Sequence, residues 1–195
     1  MQINEKRLCA GILELGQIGF QEGRGTSRPA YSQAFFAGRD LVCGKMEQAG
    51  LETAVDPVGN LTGRLPGTSG RIIAVGSHID TVPGGGMYDG SYGVLAAIEA
   101  ARTLREHGRI LRDTLEIIAF NEEEGNVVGG TFGSKAFAGQ PQERTALERA
   151  GALGIRPDDI EASRRKAAPY RCYLELHVEQ GGVLEREQTP IGIVD

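Results

Sequence analysis

The chain has 195 residues, 40% of them hydrophobic, and a formal net charge of -5, which suits one domain with an apolar core, or part of a larger one. It carries no basic patch with interleaved aromatics and no apolar run approaching a membrane span, which excludes nucleic-acid binding and a transmembrane helix from the expectations. Residues 1–7 lack an apolar stretch behind a charged start, so no secretion signal is expected. Cys9, Cys43 and Cys172 are odd in number and far apart, making neither a disulfide framework nor a Cys-x-x-Cys site, and a reducing cytoplasm is the expected location.

In chain order, Asn4 can cap a helix running to about residue 20, with Leu8, Ile12, Leu15 and Ile18 near helical spacing. Residues 21–30 read as loop. Ser32 can cap a second helix over 33–49, ended by Gly50. Residues 51–55 and 61–65 read as strands of a hairpin that leads into a buried strand over 72–77, an apolar run rich in β-branched residues. A helix follows over 91–107, closed by Gly108, with His107 at its solvated C-terminal end. The apolar run 115–120 is a second buried strand, and strand–helix–strand order implies a right-handed parallel crossover. A short helix is expected near 131–138, and two more within 141–168. Strands are expected over 173–178 and from Pro190 to the chain end. The fold class is therefore α/β: a mainly parallel sheet flanked by helices.

The chemistry-bearing residues sit at strand ends, where ligands bind in open α/β sheets. The 72–77 strand delivers His78 and Asp80, and a glycine loop then leads to Asp89 at the start of a helix. Imidazole plus carboxylate is a ligand set for zinc and its first-row neighbours. Asp80 lies two residues after His78, on the same side of an extended chain, which suits a carboxylate that orients the imidazole. The 115–120 strand runs into Glu122, Glu123 and Glu124, three adjacent carboxylates that repel one another unless cations hold them. Glu175, His177 and Glu179 recur with period two and would share one face of their strand. Each motif alone also reads as ordinary polar surface; together they point to a metal centre. Such a centre offers hydrolysis by metal-activated water, with a free glutamate as general base.

Three segments, GSHIDTVPGGGMYDGSYGV, FNEEEG followed by GTFGSKAFAG, and ELHVEQGGVLE, together resemble the carbamoylase branch of the M20 metallo-amidohydrolases. That branch comprises N-carbamoyl-L-amino acid hydrolases, β-ureidopropionases and allantoate amidohydrolases, and the resemblance runs from about residue 4 to the end. It implies hydrolysis of the C–N bond of a small-molecule N-carbamoyl-L-amino acid or related ureido compound by two divalent metal ions, zinc or manganese, cobalt or nickel. It implies that His78 and His177 bind one metal, that Asp89 bridges both, and that Glu124 binds the second. Glu123 would be the general base, Asp80 would orient His78, and Gln180 would face the substrate. The imidazole of His177, where related peptidases have an acidic ligand, favours the amidohydrolase branch over aminoacylases and carboxypeptidases.

The sequence departs from this pattern in two ways. Asn126-Val127-Val128 stands where the family usually has Ser-Arg-Phe or similar. The family's catalytic domain is also interrupted by a lid that mediates homodimer contacts and supplies an arginine for the substrate carboxylate. A returning segment then supplies a last histidine. The chain is read as the N-terminal segment of that catalytic domain, without the lid or the return, so one metal site is expected to be incomplete. The alternatives are a non-catalytic metal-binding subunit that needs a second chain, and an allantoate amidohydrolase or M20 peptidase or aminoacylase relative.

Overall fold

The computed structural model describes residues 1–194. Helix α1 (Glu5–Gln17) begins where the Asn4 side chain accepts from the Arg7 amide at 3.0 Å. The helix stops at Gln17, short of the expected residue 20, and two short strands, β1 (Phe20–Gln21) and β2 (Gly25–Thr26), then pair antiparallel across that helix end and the stretch expected to be loop. Helix α2 (Gln33–Gln48) begins where Ser32 accepts from the Phe35 amide at 3.1 Å. In both helices a side-chain oxygen satisfies an amide that has no partner inside the helix, as the sequence implied.

Strands β3 (Glu52–Val55) and β4 (Leu61–Leu65) form the expected hairpin. Strand β5 (Ile72–His78), helix α3 (Ser91–Glu106) and strand β6 (Thr114–Phe120) follow, with β5 and β6 parallel. Three short helices come next, α4 (Phe132–Ala138), α5 (Arg144–Ala152) and α6 (Pro157–Ser163). The described chain ends with strand β7 (Tyr170–Leu174) and helix α7 (Val183–Glu187). The five-stranded sheet has the order β3-β4-β6-β5-β7. It is mixed: β4 runs antiparallel to β3 and β6, while β5 is parallel to β6 and β7. The expected α/β architecture is present, and the parallel half carries the candidate site.

Alternation along β6 explains how an unbroken apolar run is used. Ile117 and Ala119 join the core made with α1, α2 and α3, through residues such as Leu15, Val42 and Ile98. Ile118 and Phe120 face the other way and meet Ala74 and Phe137 of α4. Both faces of the strand are buried, which is the condition that produces a continuous apolar sequence. Gly76 lies at the centre of β5, where a Cβ would strike the Ile118 backbone of β6.

Two expected strands differ. The third buried strand, expected over 173–178, is β7 at Tyr170–Leu174, and its pairing with β5 ends at Val75–Leu174. Beyond that point the chain crosses the start of α3, where the Leu176 carbonyl lies against Gly93, so it cannot keep following β5. The strand expected from Pro190 does not form over residues 190–194, which are exposed and have no strand partner among the described residues; Asp195 lies outside them. No helix among the described residues is long and apolar enough to cross a membrane.

Candidate metal centre

Three segments converge at the C-terminal end of the parallel strands. His78 is the last residue of β5, and Asp89 lies two residues before α3. His177 arrives on the chain that leaves β7. One ligand atom from each of His78, Asp89 and His177 lies within 4.8 Å of the other two. His177 Nε2 is 3.2 Å from Asp89 Oδ1, and His78 Nε2 is 3.9 Å from the same oxygen. The two imidazole rings lie 5.7 Å apart, centroid to centroid.

The backbone fixes how these imidazoles present themselves. His78 Nδ1 lies 2.9 Å from the Asp80 carbonyl, and His177 Nδ1 lies 2.9 Å from the Val178 carbonyl. A carbonyl only accepts, so each Nδ1 carries a proton and each Nε2 is the nitrogen turned toward Asp89. That is the orientation a metal-binding imidazole needs. Gly90 makes the close approach possible. Its φ is +61°, and a Cβ there would fall on the His78 ring.

The three adjacent glutamates are sent three ways. Glu122 has φ +60° and is fully buried, and its Oε1 accepts from the amides of Val127, Val128 and Gly129. Glu123 is held at both oxygens by one residue: the Ser134 amide donates to Oε1 at 2.8 Å and the Ser134 hydroxyl to Oε2 at 2.7 Å. Burial pushes the Glu123 carboxyl above the usual carboxylate range, against those hydrogen bonds. Glu124 points at the imidazoles, with Oε1 3.8 Å from His78 Nε2. Its carboxyl is also raised, first by desolvation, with the neighbouring acids adding to the effect.

Asp80 is fully buried, and its carboxylate accepts from the Glu123 amide at 3.3 Å and the Glu124 amide at 3.0 Å. Its side chain therefore holds the glutamate loop, with Oδ1 3.6 Å from His78 Nδ1, while its own carbonyl sets the His78 tautomer. Gln180 donates to both oxygens of Asp89, at 3.3 and 3.1 Å. The shared face expected of Glu175, His177 and Glu179 is not kept, because the chain has left β7 by Glu175. Glu175 accepts from Ser77 and Tyr173, and Glu179 accepts from the amides that open α7. His107 closes α3, where its Nδ1 meets the Thr103 carbonyl at 2.8 Å. A cavity of about 690 Å³ opens beside His78 and Glu123 and is walled by Phe120, Phe137, Tyr170 and Tyr173.

The sequence reading missed Ser134 and Arg28. Ser134 lies inside the GTFGSKAFAG segment that carried the resemblance, but nothing local marks it as the partner of Glu123. Arg28 lies in a stretch read as loop, yet it is fully buried.

The sequence model of Peptidase family M28 matches residues 60–168, the stretch that contains β5, α3, β6 and the glutamate loop. The chain belongs to that family. Its relatives are of the carbamoylase type that the motifs resemble. It is 38% identical to an N-carbamoyl-L-amino acid amidohydrolase of Geobacillus stearothermophilus, covering 98% of this chain and 50% of that protein. It is 38% identical to an allantoate amidohydrolase of Bacillus subtilis, covering 92% and 47%. A crystal structure of a hydantoinase/carbamoylase family amidase from Burkholderia ambifaria superimposes with a TM-score of 0.81 at 36% identity, covering 96% of this chain and 48% of that one. The chain spans about half the length of these relatives.

Proposed function

We propose that this chain forms the metal-binding part of an amidohydrolase that cleaves the C–N bond of an N-carbamoyl-L-amino acid or a related ureido compound, releasing an amine, carbon dioxide and ammonia. The observation that carries the reading is the convergence of two imidazoles on one carboxylate, each with its Nδ1 on a backbone carbonyl, beside a half-buried glutamate held by Ser134. The donor set fits a first-row divalent cation. His78, Asp89 and His177 would hold one ion, and Asp89 with Glu124 would hold a second. When bound, such ions would acidify a water molecule and polarise the scissile carbonyl.

The chain's own residues supply the proton handling and the positioning. Glu123 would take a proton from the attacking water at a carboxylate oxygen and give it to the departing nitrogen. Burial raises its carboxyl, the direction that suits a group that must both accept and release that proton. Ser134 keeps the carboxylate from swinging away, and Asp80 fixes the backbone on which Glu123 and Glu124 sit. Gln180, beside Asp89, would meet the substrate. Homodimer assembly and a cytoplasmic location remain part of the same proposal.

The test is metal content and turnover together. The chain is stripped, resupplied with zinc or manganese and analysed for metal, with His177→Ala as control. Amine or ammonia release is then followed on N-carbamoyl-L-amino acids, allantoate and dipeptides. Roughly one or two ions per chain, with the first lost in the control, and turnover confined to the carbamoyl and ureido compounds are expected. Absence of metal from the folded chain would overturn the reading. Turnover confined to dipeptides would move it to the peptidase side. A second reading is a metal-binding subunit that works only with a separate chain. It is favoured by the exposed outer edge of β7, the last strand of the sheet. Bound metal without turnover on any substrate is its signature.

A further inference from the structure

We propose that Arg28 is a positioning residue for the metal centre: its guanidinium fastens the strand end that presents His78 to the helix start that follows Asp89. The inference rests on the metal-centre reading above. Arg28 is fully buried. Its Nε donates at 2.7 Å to the carbonyl of Ile79, the residue between His78 and Asp80. One Nη donates at 3.1 Å to the hydroxyl of Ser91, the first residue of α3. The other Nη donates to the Leu15 and Ile18 carbonyls at the end of α1, at 2.9 and 3.0 Å. The Arg28 backbone completes the grip: its amide donates to the Thr81 hydroxyl at 2.8 Å, and its carbonyl accepts from the Thr81 amide at 3.1 Å.

One planar fork thus ties residues 79–81 to Ser91, with the end of α1 as the fixed point. His78 adjoins the first of these segments, and Asp89 lies two residues before the second. Both segments lie beyond the regular pairing, because β5 ends at His78 and α3 opens on Gly90 without a side-chain cap; the glutamate loop and Thr26 also hold Asp80 and Thr81, but Arg28 is the side chain that bonds to both segments. Ligands fixed within a fraction of an ångström bind a metal more tightly than ligands that must first be ordered. Only a guanidinium reaches three directions in one plane, so lysine cannot reproduce the grip. Burial lowers the Arg28 pKa to about 10, so the fork stays charged at neutral pH.

The test compares Arg28→Lys, Ser91→Ala and a control, Arg7→Met, which breaks the Arg7–Glu99 ion pair between α1 and α3. Two quantities are read: affinity for Zn²⁺ by calorimetry, and hydrogen exchange of the amides at 79–81 and 91–94 before metal is added. Arg28→Lys and Ser91→Ala should each weaken Zn²⁺ binding by roughly 10- to 100-fold, the range seen when groups that orient ligands are removed, and should speed exchange selectively at those amides. Arg7→Met should lower the melting temperature and leave both readings at the parental level. If Arg28→Lys does not fold, Ser91→Ala, which removes one hydroxyl, carries the test alone. Parental exchange at 79–81 and 91–94 in a folded variant, or parental Zn²⁺ affinity, would overturn the proposal. A parent chain that binds no Zn²⁺ would instead sink the metal reading, and the exchange measurement would still show whether Arg28 joins the two segments.

Discussion

His78 and His177 turn the same ring nitrogen toward Asp89 in the candidate centre, yet they are built in opposite ways. His78 ends a strand paired on both sides, and its side chain is 8% exposed. His177 rides on chain that has left the sheet edge, and its side chain is 29% exposed. Strand β5 keeps an unbroken parallel register with β6 from Ile72–Thr114 to His78–Phe120. Its pairing with β7 shifts at Ile72/Ile73 and stops at Val75–Leu174. The centre therefore joins a half built on a fully paired strand to a half held by a few hydrogen bonds. The lesson is that ligand identity and ligand order are separate properties, and only the second depends on burial.

Gly76→Ala probes the paired half most severely, since the new methyl would meet the β6 backbone. A loss of about 3 kcal/mol in urea unfolding is expected, the upper range for overpacking. An effect below 1 kcal/mol would show that β5 and β6 separate easily, and the contrast would fail. Metal should act on the looser half. With free Zn²⁺ at about 100 times Kd, linkage adds about 2.7 kcal/mol, and a chelator should remove all of it. Protection from hydrogen exchange gained on binding should concentrate at residues 175–180 rather than in β5 and β6. A uniform gain would contradict the division. The two histidines give a smaller and sharper comparison. Both alanine variants should lose Zn²⁺ affinity, but without metal His78→Ala should cost about 1 kcal/mol for its buried hydrogen bond, and His177→Ala should fall within measurement error. Equal losses would mean that the His177 segment is ordered without metal. The smallest effect belongs to the outer edge of β7. Leu174 is 56% exposed, and Leu174→Lys should stay within about 0.5 kcal/mol. A larger loss would show that this edge is covered in solution.

Local patterns were read from the sequence where local physics decides them. The Asn4 and Ser32 caps and the bounds of β4 depend on neighbours a few residues away. The β5 and β6 runs are legible because strands buried on both faces need apolar residues throughout. The end of β7 was misplaced because periodicity continues through Glu175, His177 and Glu179, while the partner strand does not. What redirects the chain is the close approach of Leu176 to Gly93, a contact between residues far apart in sequence.

The sequence by itself determined which residues could carry such chemistry: imidazoles and carboxylates at strand ends, of which the fold brings His78, Asp89 and His177 together. It could not assign the work among the acids. Glu122, Glu123 and Glu124 are chemically identical and adjacent. Only the fold sends one to a nest of amides, one to Ser134 and one toward His78. Nor could it find Arg28, whose partners lie on α1, at the end of β5 and at the start of α3. A side chain's residue type is a local fact, whereas its hydrogen-bond partners are set by which distant backbone groups the tertiary structure leaves unpaired beside it.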